Sequence, residues 1–194
     1  MTVTLNKKWE EHIQRYAEAV VKAYADGVSP RSKACVVAGR PPIFDNIEVQ
    51  ACGRRAEVAF CGWLGLDPHK YLKWEAVADS GYDLAVDPFY IDVKSSPLTN
   101  AKYLIWPVSK THFFDRLNSN IFVLVRPTLK QYSFGIVGWT TKEWFANNHE
   151  TSTEGDSTRL TPGTWFMRQE NLWESAALRS VIKETVSIFR LEAA

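Results

Sequence analysis

Leu5, Trp9, Ile13, Tyr16, Val20 and Tyr24 fall three or four residues apart, the spacing that lines one face of a helix. The pattern predicts a helix over 5–26, with Asn6 as N-cap and Gly27 as stop, serving as scaffold or as a dimer face. Residues 27–45 break the period with Gly27, Pro30, Gly39, Pro41 and Pro42. Asp45-Asn-Ile-Glu48 resembles a capping box and opens a second helix running to Leu64, with Gly65 as terminator. Beyond it the period shortens. Tyr71 to Val77 reads as a first strand, and apolar, β-branched runs on both sides of Asp87-Pro88 read as a hairpin over 81–96. Pro88 fits poorly in a two-residue primed turn, so a four-residue loop over 86–89 is expected.

Further along, Ala101 to Val108 is another extended run, and Ser109 to Leu117 a short helix capped by Ser109. Asn120 to Arg126 is a near-continuous apolar run, as in a central strand buried on both faces. Gln131 to Trp139 alternates and pairs with it, and Thr140 or Thr141 caps a brief helix ending near Asn147. The polar, Gly/Pro-punctuated stretch 148–163 is expected to be a mobile loop. Trp165 to Met167 returns to the sheet, and a last helix covers 172–191. The expected fold is α/β (α+β): one domain over 1–194 with a central mixed sheet flanked by helices.

The chemistry concentrates in the hairpin. Its pairing sets Leu84 opposite Ile91, Ala85 opposite Tyr90 and Asp83 opposite Asp92, and opposed residues share a sheet face. Lys94, two residues past Asp92, lies on that face as well. Two adjacent carboxylates repel. A divalent cation removes the repulsion, and hard cations take carboxylate oxygens. An ammonium beside such a site can stabilise charge on a phosphoryl oxygen. An acid-x-Lys triplet by itself usually marks a solvated strand face, but like charges set opposite each other are a poor choice for solubility. Glu57 in the second helix has the apolar neighbours Val58, Phe60, Cys61 and Leu64, so it borders the buried face. A carboxylate there needs a partner: a metal, or Arg54 three residues earlier. Glu48 points the other way and is read as part of the cap.

Composition narrows the options modestly. The 194 residues carry a net charge of +1 with 45% hydrophobic residues, which suits one globular domain and neither demands nor excludes nucleic acid. Eight Trp, seven Tyr and ten Phe are more often core and platform than chemistry. Cys35, Cys52 and Cys61 form no CxxC pair, which disfavours thiolate metal chemistry and favours a reducing compartment. His12, His69, His112 and His149 are dispersed. No apolar run reaches membrane-spanning length and no signal-peptide core is evident, so a cytoplasmic location is expected. Arg31, Lys33 and Arg40 make 27–45 a basic loop, able to grip phosphates or to serve as a solvated connector.

Glu57 on a helix, Asp83 opening one strand and Asp92-Val93-Lys94 in the next together resemble the PD-(D/E)XK nuclease superfamily, with its restriction-endonuclease-like core. Gly53-Arg-Arg-Ala-Glu57-Val-Ala-Phe followed by Trp63-Leu-Gly65 resembles the helix of that family. Phe122 to Trp139 resembles the strand pair after the active-site hairpin of small phage and bacterial members. The resemblance covers about 46–145, and Tyr82 stands where the motif has proline. It implies a Mg²⁺-dependent DNA nuclease, with Mn²⁺ able to substitute, in a bacterial cell or phage-infected host. Asp83, Asp92, the Val93 backbone carbonyl and Glu57 would hold the metal, and Lys94 would complete the catalytic set. Arg31, Lys33, Arg40, Arg54, Ser95 and Lys102, with Lys110, would meet DNA, and a homodimer could cut both strands. The alternatives are a catalytically silent module of the same fold that binds nucleic acid or a partner protein, and a structural protein with solvated acids.

Overall fold

The computed structural model describes residues 2–26, 46–74, 81–107, 114–155, 157–158 and 160–192. A short strand β1 (Thr2–Thr4) precedes helix α1 (Lys7–Ala25), whose N-cap is Asn6, with its side chain accepting the Trp9 N–H at 3.0 Å. Ile13, Ala17 and Val20 turn the apolar stripe of α1 inward. Helix α2 (Ile47–Leu64) is capped by Asn46, which accepts from the Glu48 and Val49 amides. The expected capping box therefore becomes a one-residue cap. Glu48 is drawn instead to Arg55, which also bonds Glu10 of α1 at 2.9 Å and so clasps the two helices. Gly65 ends α2 at φ 79°, a left-handed conformation that costs glycine nothing.

The expected first strand over 71–77 does not form where the chain is described. Asp67 caps, and Pro68 opens, a one-turn helix α3 (Pro68–Tyr71), leaving only a bridge from Leu72 to Leu84. Proline suits a first helical position because its missing N–H is unpaired there anyway. Residues 75–77 lie outside the described residues.

Strands β2 (Leu84–Val86) and β3 (Phe89–Ser95) form the hairpin in the expected register. Its loop is Asp87-Pro88 alone, joined by a cis peptide, rather than four residues. A cis proline belongs to a separate turn class, outside the primed turns whose dihedrals argued against a short loop. Strand β5 (Ile121–Pro127) runs parallel to β3 and antiparallel to β6 (Ser133–Thr141), giving a mixed five-stranded sheet of order β1-β6-β5-β3-β2. The first five residues of β5 are all buried, as expected for a central strand. Thr141 caps helix α4 (Lys142–Asn148).

A second, antiparallel sheet was not foreseen. Strands β4 (Tyr103–Trp106), β7 (Glu150–Thr151) and β8 (Trp165–Arg168) pair in the order β4-β8-β7, so Trp165 to Met167 joins this sheet and not the central one. Ser152, buried in the expected mobile loop, donates through its hydroxyl to the Thr161 carbonyl at 2.6 Å and accepts the Thr164 amide. The base of that loop is thus closed. Of the helix expected over 109–117, a 3-10 turn at 114–116 is described. Helix α5 (Ser175–Glu192) ends the described chain.

Strand alternation sorts the core into two parts. Ile91, Val93, Val123 and Val125 face α1, α2 and the Leu178 and Ile182 side chains of α5. Phe122 and Leu124 face the second sheet, packing with Trp106, Phe114 and Phe145. At Gly138 of β6 an added Cβ would stand 2.7 Å from the Leu172 Cβ and 2.9 Å from the Trp173 carbonyl. Gly138→Ala is therefore expected to lower stability by about 2 kcal/mol, within the usual range for overpacking. A urea melt within about 0.5 kcal/mol of wild type would show that the chain after β8 is free to retreat.

Candidate active site

Asp92 and Lys94 pair with Phe122 and Leu124 in the parallel register. Both therefore lie on the face turned toward the second sheet. Asp92 is 8% exposed, and the Lys94 ammonium rests 2.7 Å from its Oδ2 and 4.5 Å from the centre of the Trp106 ring. Carboxylate and aromatic face together fix the ammonium, because the ring presents negative potential to a cation.

Asp83 departs from the expected position directly opposite Asp92. Pairing is regular at Leu84–Ile91, yet the Asp83 N–H also goes to the Ile91 carbonyl, at 2.9 Å. Strand β2 ends there, and the Asp83 carboxylate takes the place of a strand partner, accepting the Val93 N–H at 2.7 Å. A strand residue presents its N–H and C=O to the same neighbour. The Val93 carbonyl therefore points to this same open edge.

Glu57 approaches from α2, over the other face of the sheet. Arg54 holds it at 2.7 Å, and the Arg54 guanidinium lies 3.9 Å from the Tyr16 ring centre and 5.0 Å from that of Trp74. Arg54 is 7% exposed, so it is corrected from a DNA contact to an internal partner of Glu57. A guanidinium enclosed by a carboxylate and two rings has no surface left for a phosphate. Ser95 is partly exposed at the end of β3 and Lys102 is exposed. Arg31, Lys33, Arg40 and Lys110 lie outside the described residues.

The three acids thus approach the edge left by the short β2 from different sides without converging: Asp83 in the plane of the sheet, Asp92 from one face, Glu57 from the other. Their charges interact. Burial, then the charges of Glu57 and Asp92, pushes the Asp83 carboxyl well above the usual carboxylate range, against Lys94 and the Val93 N–H. Burial likewise raises Glu57, with Asp92 adding to the rise and Arg54 and Lys94 opposing it. The Cys61 thiol, near Glu57 on α2, is pushed up to about 12 by burial and by that carboxylate, which makes it inert.

Among the described residues no three Asp, Glu, His or Cys side chains converge as a ready metal-ligand group. The approach from opposite faces is the physical reason. The donors nevertheless suit a hard cation, being all oxygen.

Tyr16, Trp74 and Trp106 were missed as neighbours of the site. Helical spacing had put Tyr16 on a buried stripe, and nothing local told which aromatic rings would underlie the lysine and arginine.

Comparison of the chain with protein-family models, with curated proteins and with solved structures finds no match.

Proposed function

We propose that the protein is a Mg²⁺-dependent nuclease hydrolysing phosphodiester bonds of DNA, built on a restriction-endonuclease-like core. The observation that carries this reading is the placing of the Asp92–Lys94 pair and of Asp83, bonded to the Val93 N–H, at one open strand edge, with the Glu57 carboxylate near enough for the three charges to act on one another. A solvated strand face would not raise the pKa of two of these carboxyls by burial.

Asp83, Asp92, the Val93 carbonyl and Glu57 would hold the metal. When bound, the ion would supply Lewis-acid polarisation of the phosphoryl oxygen and a more acidic water. Lys94, held between Asp92 and Trp106, brings a fixed positive charge to the phosphoryl oxygen as negative charge builds there. Asp92 keeps that ammonium oriented. Arg54 holds Glu57 against α2 and leaves its second oxygen to orient the attacking water.

A second reading has its own support. Each acid already has a donor, Lys94 for Asp92, Arg54 for Glu57 and the Val93 amide for Asp83, as a silent module that binds nucleic acid or a protein would require. The deciding experiment incubates the protein with plasmid, linear duplex, single-stranded and branched DNA in Mg²⁺ or Mn²⁺, with EDTA and Asp92→Ala controls. Metal-dependent cleavage lost in the variant supports the nuclease. Equal DNA binding by wild type and variant without any cleavage supports the silent module.

A further inference from the structure

On the face that carries Asp92 and Lys94, the β5 half is covered by Trp106, Phe114 and Phe145. The β2–β3 half presents Tyr90, two residues before Asp92 and 38% exposed. Tyr82, next to Asp83, meets it with ring centres 5.0 Å apart and planes inclined by 57°. The Lys73 ammonium stands 5.0 Å from the centre of the Tyr82 ring. Asn120 fixes the backbone of Tyr90, accepting its N–H at 2.9 Å.

We infer that Tyr82 and Tyr90 form a stacking platform for an unpaired nucleobase beside the site, which directs the protein to nucleic acid with exposed bases: single strands, branches and frayed ends. The inference rests on the nuclease reading and names the substrate class of the same site. Tyr90 and Asp92 lie on one face at a Cα separation of about 6.7 Å, two strand residues. The Lys94 ammonium lies 2.7 Å from the Asp92 carboxylate, so a nucleotide whose phosphate reaches it has its base within reach of the rings. Lys73, beyond the rings, attracts the next phosphate. Aromatic rings on an open sheet face take splayed bases of any sequence, since every base has a π-face. A stacked duplex does not offer its bases this way.

The test is equilibrium binding in EDTA, where cleavage plays no part, of fluorescein-labelled oligothymidylate and of a blunt duplex. Tyr90→Ala and Tyr90→Thr, the latter keeping strand propensity, are expected to weaken single-strand binding about 5- to 100-fold. Duplex binding should stay within about twofold of wild type, and Tyr90→Phe should retain single-strand affinity, because the ring and not the hydroxyl stacks. Melting curves confirm which variants fold. Undiminished single-strand binding by folded Tyr90→Thr, an equal loss on both ligands, or no single-strand binding by wild type would each overturn the platform. Tyr90-dependent binding by a wild type that cuts nothing in Mg²⁺ or Mn²⁺ would support the platform and overturn the nuclease. Cleavage with Tyr90-indifferent binding would do the reverse.

Discussion

Asp92→Ala protein is expected to cleave DNA about a hundred- to a thousandfold more slowly than wild type in saturating Mg²⁺, the range seen when one electrostatic element of an active site is removed. Two functions vanish together. The carboxylate that would ligate the metal is gone, and the Lys94 ammonium loses the partner 2.7 Å away that aims it. Lys94→Met should also lose about two to three orders of magnitude, but by another route. Its carboxylates remain, so it should still bind Mn²⁺ by calorimetry, whereas Asp92→Ala should not. The pair of variants separates metal binding from charge stabilisation. Full cleavage by either variant would remove that residue from the catalytic set. Because Asp92 and Lys94 act as one unit, the double variant should be little slower than Asp92→Ala alone.

Asp83→Asn is expected to do what few active-site substitutions do: abolish cleavage and raise thermal stability. The folded protein holds the Asp83 carboxyl above its ordinary pKa, chiefly through burial and then through Glu57 and Asp92. The folded state therefore binds a proton that the unfolded state has released. The stability associated with this group is fully present below the ordinary aspartate value of about 3.9. It is lost as pH rises from there through the raised folded value. At pH 8 without metal, asparagine removes that charge and its oxygen can still accept the Val93 N–H. The melting temperature should rise by roughly 2–4 °C, the shift that about 1 kcal/mol gives a chain of this size. Near pH 4 the gain should disappear. Adding Mg²⁺ should raise the melting temperature of the wild type and leave Asp83→Asn unmoved. A variant that melts lower than wild type at pH 8 would make Asp83 a strand-end clasp for Val93 and no functional acid.

Part of this site was legible in the sequence. Strand alternation put Asp92 and Lys94 on one face, and the hairpin register followed from the apolar runs around Asp87-Pro88. Glu57 was marked by its apolar helical neighbours. Three misreadings have identifiable causes. Asp67 and Pro68 form a cap and first turn whose signal was overlooked beside the apolar run that follows. The cis peptide at Pro88 allowed a turn that trans geometry disfavours. Arg54 looked like a surface cation because its enclosing rings, Tyr16 and Trp74, come from distant parts of the chain.

The sequence alone determined the elements whose signals are local: the first helix with its Asn6 cap, the second helix, the hairpin, the buried strand read over 120–126 and the three acids with Lys94. It determined these because helix period, strand alternation and capping act over a few residues. Only the tertiary structure decided where each acid stands. The slip of pairing at Asp83 turned its carboxylate onto Val93, and the second sheet brought Trp106 beneath Lys94. Docking of α1 on α2 set Tyr16 against Arg54. These contacts join residues far apart in the chain, and which partners meet there is settled by close packing of the whole core rather than by any local preference.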